Sequence, residues 1–82
     1  MNPQTLDEWQ SYVLSLNETD LFNVAVAAGS TKFMGLLLDE GYSADEVTTI
    51  QKMFAIRFSE LGIEPPSRAP GCVVDYRRLV QS

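Results

Sequence analysis

The sequence contains no histidine. That removes the commonest general base and the commonest metal ligand of neutral-pH chemistry. A Ser–His–Asp or Cys–His catalytic set cannot be built within one copy of the chain. Zinc sites of the usual cysteine and histidine kind are excluded too, because only one cysteine is present. A lone cysteine cannot form an internal disulfide, which fits a reducing compartment. Cys72 stands beside Val73 and Val74 and reads as a small apolar filler. A reactive thiolate wants a cationic neighbourhood, and Arg77 and Arg78 lie close in sequence, so that reading is only demoted.

Positive charge is scarce. Six Lys and Arg face eleven Asp and Glu, for a formal charge of −5. Such a chain is repelled by phosphate backbones, which argues against general nucleic-acid binding. No apolar run approaches the roughly 18 residues that a membrane-spanning helix needs. The opening MNPQTLDEW lacks the basic start and the long apolar block of a secretion leader. Residues 29–32, GSTK, echo a phosphate-binding loop, but the upstream glycine spacing is wrong. EF-hand spacing is absent as well. Asp39 with Glu40 and Asp45 with Glu46 flank helix ends, where capping and solvation account for them. The expectation is a soluble cytoplasmic protein (host cytoplasm if viral) that is not an enzyme and takes no cofactor or metal.

The stretch that is present in strength is 42–63, YSADEVTTIQKMFAIRFSELGI. Ser43 and Glu46 have the spacing of a capping box, with Tyr42 and Val47 placed to close a hydrophobic staple. Asp45 and Glu46 set negative charge at the positive end of the helix dipole. Val47, Ile50, Phe54, Phe58 and Leu61 recur at three- and four-residue steps and share one face. Gly62 offers the left-handed stop, and Pro65 and Pro66 forbid continuation. Met53 lies on the flank of that stripe and Ile56 points away from it. They read either as incidental surface residues or as a second contact surface.

Upstream, Thr5 and Glu8 repeat the capping-box spacing before Leu6, Trp9, Tyr12, Val13 and Leu16, a helix over 6–16. Trp9, the only tryptophan, is a core anchor or a rim residue whose indole N–H meets a partner. The turn NETD at 17–20 restarts the chain at Thr19 or Asp20. The segment 21–41, LFNVAVAAGSTKFMGLLLDEG, is apolar on nearly every side, so it belongs at the centre of the domain or is completed by another subunit. A break near Gly29 and Ser30 gives helices over 20–28 and 31–40; a single bent helix is the alternative. Gly41 ends this part as a C-cap. Ala25, Ala27, Ala28, Gly29 and Ser30 allow another helix to come close, within the chain or across a homodimer.

After Ile63 the character changes. EPPSRAPG carries three prolines and reads as an extended linker. In the closing CVVDYRRLVQS the periodicity does not separate strand from helix, and a short helix or turn from Asp75 is preferred. Residues 1–63 hold three basic against nine acidic side chains, whereas 64–82 hold three against two. The basic tail is suited to dock on an acidic surface, in its own chain or a neighbour.

The fold expected is all-α: a compact bundle of about four helices over 1–63, with an extended Pro-rich C-terminal arm over 64–82. The expected core is Leu6, Trp9, Val13, Leu21, Val24, Leu36, Leu37, Val47, Ile50, Phe54, Phe58 and Leu61. The function expected is a non-enzymatic protein-binding module, an adaptor or inhibitor of a larger protein. Phage-encoded host-takeover proteins are one group of this size and kind, an analogy of build alone. The contact residues expected are Met53, Ile56, Tyr76, Arg77 and Arg78. Two alternatives stand beside it. One is a self-assembling, virion-type subunit. The other is a small-ligand-binding homo-oligomer with a pocket between subunits, lined by Lys32, Arg68, Arg77 or Arg78.

Overall fold

A computed structural model describes residues 3–66 and 72–81. The fold is all-α, with five helices in the order α1 Leu6–Ser15, α2 Glu18–Ala28, α3 Thr31–Asp39, α4 Ala44–Leu61 and α5 Tyr76–Gln81. It forms a small globule with a radius of gyration of 11.6 Å. α4 is the centre: every other helix packs against it.

Local chemistry sets the boundaries. At α4 the capping box is complete. Glu46 N–H donates to Ser43 Oγ at 3.1 Å, and Ser43 N–H donates to the Glu46 carboxylate at 2.9 Å. At its far end Gly62 takes φ 68°, which lets Ile63 N–H reach back to Phe58 O at 3.1 Å. α1 is capped by Thr5, whose hydroxyl accepts from Glu8 N–H. The reciprocal bond goes one residue further than expected, from Gln4 N–H to the Glu8 carboxylate. α2 starts one residue before the expected 19–20 window, at Glu18. Asn17, the first residue of the NETD turn, supplies the capping oxygen, to Asp20 N–H at 2.8 Å.

The expected break is present. α2 ends at Ala28 and α3 starts at Thr31, with the two axes meeting at 75°. Ser30 makes the corner self-sufficient: its hydroxyl donates to Ala27 O at 2.7 Å and accepts from Phe33 N–H at 3.1 Å. One side chain thereby satisfies the free Phe33 N–H of the first α3 turn and adds a second bond to Ala27 O, which also accepts from Ser30 N–H at 3.1 Å. The GSTK stretch is thus explained by capping. No single helix among the described residues is long and apolar enough to cross a membrane, and the α2–α3 pair, apolar enough in sum, is bent at this corner.

The core holds Trp9, Val13, Leu21, Leu37, Val47, Ile50, Phe54 and Phe58, as expected, together with Ala25, Ala28, Ala55 and Tyr76. Leu6, Val24 and Leu61 pack against it from partly buried positions. Leu36 departs from expectation: it is 54% exposed. Periodicity marked α3 as apolar all round, but its neighbours α2 and α4 cover only the side of Phe33, Met34 and Leu37. Trp9 meets Tyr12 and Phe33 edge-on, with centroids 5.9 and 5.7 Å away, and its Nε1–H donates to Tyr42 Oη at 3.3 Å. Its polar handle is therefore used inside the fold.

The largest difference is at the C-terminus. The preferred short helix exists as α5, and Asp75 does cap it, accepting from Arg77 N–H at 3.1 Å. Yet this segment packs along α4 and contributes a fully buried core residue. Part of the expected extended arm, 67–71, lies outside the described residues.

Candidate protein-contact surface

The residues expected to meet a partner fall into three environments. Met53 and Ile56 are three positions apart on α4. At about 100° per residue they share a flank with Arg57 and Glu60. Met53 is half-buried against the core and Ile56 is 51% exposed. Arg57 pairs with Glu60 at 3.5 Å on the same flank. Arg77 and Arg78 stand exposed on α5, which packs along the opposite flank beside Ala55, Phe58 and Ser59. The structure therefore separates the two aliphatic candidates from the two arginines.

Tyr76 is in neither group. It is fully buried, its ring 6.4 Å from that of Phe54 and 6.3 Å from that of Phe58. Its hydroxyl donates to Ala25 O at 2.5 Å. A side chain with no exposed surface has none to offer an outside partner in this conformation. The reason is spatial: the segment folds back over α4 and sets this ring against Phe54 and Phe58 of the α4 stripe. Burial, and after it the Cys72 thiol, pushes the Tyr76 hydroxyl well above the ordinary tyrosine range.

The arginines are spent locally. Arg77 pairs with Glu64, and Arg78 with Asp75 at 3.8 Å. Both carboxylates belong to the tail itself, so the tail docks on the body through an aromatic anchor and not through these charges. Exposed pairs of this kind stabilise by about 1 kcal/mol at most. Lys32 is exposed on α3, while Arg68 lies outside the described residues. Lys32 does not join Arg77 in the groove of about 200 Å³ between α4 and α5, which is lined by Ala55, Phe58, Ser59, Ile63, Pro65, Tyr76 and Arg77.

Two features were missed by sequence reasoning. Gln51 is buried, and its Nε2–H donates to Ala28 O at 3.1 Å. A polar residue within the apolar face of α4 was the available signal: a buried amide has to find a partner. The second is α3. Leu36 is 54% and Leu38 51% exposed, on opposite sides of the buried Leu37, and the exposed acids Asp39 and Glu40 come directly after. Among the described residues no three His, Cys, Asp or Glu side chains are grouped to hold a metal ion.

No family model, curated protein or solved structure matches this chain.

Proposed function

We propose that the chain is a non-enzymatic protein-binding module, an adaptor or inhibitor of a larger protein, and that α3 is its principal contact element. The observation that carries this reading is the pair Leu36 and Leu38, each more than half exposed on a nine-residue helix. Single exposed leucines are ordinary. Two on one short helix, after the core has taken Phe33, Met34 and Leu37, are more apolar surface than the fold uses. Ile56 on α4 adds a further exposed aliphatic residue.

Full burial of a leucine is worth about 1.5–3 kcal/mol, so covering the open half of each contributes about 1 kcal/mol. Both together amount to roughly a thirtyfold change in affinity. Asp39 and Glu40 at the end of the helix, on a chain of net charge −5, favour a partner whose apolar pocket has a basic rim.

The test is capture by the full chain as bait, wild type against Leu36→Glu with Leu38→Glu. Both positions face solvent, so far-ultraviolet circular dichroism should be unchanged. A saturable partner should bind the wild type and a Val73→Glu control, and be lost by the double variant. Equal capture by the double variant removes α3 from the role. A wild type that captures nothing saturable from its own host extract removes the binding reading itself.

A further inference from the structure

Gly29 has a reason inside the fold: an added Cβ would stand 2.5 Å from Cys72 Sγ. Gly35 has none. It sits in the middle of α3, where glycine weakens a helix relative to alanine. A Cβ there would meet nothing within 4 Å. Three- and four-residue spacing sets Lys32, Gly35, Leu36 and Asp39 on one face of α3, and all four are exposed. The two charges are equally unexplained by the fold. Lys32 stands in the first turn, at the positive end of the helix dipole, and Asp39 in the last, at the negative end. Neither pairs with an opposite charge among the described residues.

These features are accounted for together when a second α3 lies antiparallel against the first. A two-fold axis passing between positions 35 and 36 brings Lys32 of one copy level with Asp39 of the other, at both ends of the contact. The same axis brings Leu36 of each copy level with Gly35 of the other. The hole bounded by Lys32, Gly35, Leu36 and Asp39 lacks a side chain at one corner, so a leucine knob can enter it. The positive end of each helix dipole then lies beside the negative end of its neighbour. A foreign partner would have to supply this pattern, whereas a second copy carries it already.

We propose that α3 pairs with α3 of a second copy of the chain, antiparallel and two-fold symmetric about Gly35 and Leu36. The inference rests on the reading of α3 as the contact element and adds regulation of that surface. Self-pairing covers Leu36, so a larger partner has to displace the second copy. The pairing is weak. One nine-residue helix on each side is a small interface, and each copy carries a charge of −5. The balance between one chain and two is therefore set by concentration.

The test is sedimentation velocity of the pure full-length chain over a dilution series, in which the wild type should show a reversible dimer. Lys32→Glu and Asp39→Lys each put like charges opposite one another and should weaken self-association about tenfold. Each also gives its helix end the sign that end prefers, so neither should harm folding. An equimolar mixture of the two variants restores opposite charges at both ends and should associate as the wild type does. Overall charge alone predicts otherwise, because Asp39→Lys lowers the mutual repulsion and would then associate best. Gly35→Leu fills the hole and should abolish pairing while raising the thermal midpoint of the monomer. A wild type that is monomeric at every soluble concentration overturns the proposal, and so does a mixture no more associated than its separate components. A wild-type dimer that Gly35→Leu leaves intact overturns it too. The readout needs no larger partner. Saturable capture by a strictly monomeric chain would overturn self-pairing and leave the binding reading standing.

Discussion

Tyr76 offers the sharpest test of how the C-terminal segment stabilises the fold. Two substitutions separate its ring from its hydroxyl. Tyr76→Phe removes only the donor to Ala25 O. That carbonyl keeps its bond from Gly29 N–H at 2.9 Å, so no buried acceptor is orphaned. The cost should sit near the ordinary net value of a hydrogen bond, about 1 kcal/mol. For a domain of this size that lowers the thermal midpoint by roughly 4–8 °C. Tyr76→Ala also empties the space between Phe54 and Phe58. Deleting a buried aromatic ring costs about 3–5 kcal/mol. The whole domain is expected to hold only about 4–12 kcal/mol, so this one change removes a large share. Urea unfolding followed by the fluorescence of Trp9, the only tryptophan and a core residue, reads both. The control is Arg78→Ala, in an exposed pair with Asp75, which should shift the curve by less than about 1 kcal/mol. If Tyr76→Ala lies within the range of that control, the segment is not part of the core and the docking argument fails.

Four further outcomes are expected. Gln51→Met keeps the bulk of the side chain but strips the donor to Ala28 O, and should cost about 1–3 kcal/mol in the same urea assay. Ser43→Ala opens the capping box of α4 and should cost about 1 kcal/mol, whereas Ser59→Ala, exposed near the other end of the same helix, should be close to neutral. Leu36→Glu with Leu38→Glu should leave the urea midpoint nearly unchanged, since neither side chain is buried; a large loss would place α3 differently from the structure. The last concerns pH. Tyr76 has its pKa raised, so the native state keeps a proton that the unfolded chain releases. The stabilisation is whole below the ordinary tyrosine value of about 10 and drains away as pH rises beyond it toward the folded value. The urea midpoint should fall above that pH, and less steeply in Tyr76→Phe; parallel slopes would contradict the buried, hydrogen-bonded hydroxyl.

The helices were legible because their signals are local. Ser43 with Glu46, Ser30 with Phe33, and Gly62 before Ile63 act over three to five residues, and such contacts exist wherever the helix does. Boundaries shifted by a residue or two: α2 begins at Glu18, capped by Asn17 at the head of the NETD turn, and α3 ends at Asp39, so that Glu40 and not Gly41 is its C-cap and Gly41, at φ 103°, follows it. Among the contact candidates, Ile56 is exposed as its phase on α4 implied. Periodicity on one helix reports which way a residue points, and that sufficed there. It could not say that α3 would have neighbours on one side only and leave Leu36 uncovered.

By itself, then, the sequence determined that the chain is helical and where α1 to α4 lie to within a residue or two, favoured a break at Gly29 and Ser30 over a single bent helix, and marked α4 as the carrier of the stripe around which the core forms. The tertiary structure alone decided that Tyr76 would be core and not surface, that Gly29 serves the approach of Cys72, and that Gln51 answers Ala28. Those contacts join residues 51 and 23 positions apart in two cases. No window of sequence short enough to carry a capping or periodicity signal contains both partners, so only the folded chain brings them together.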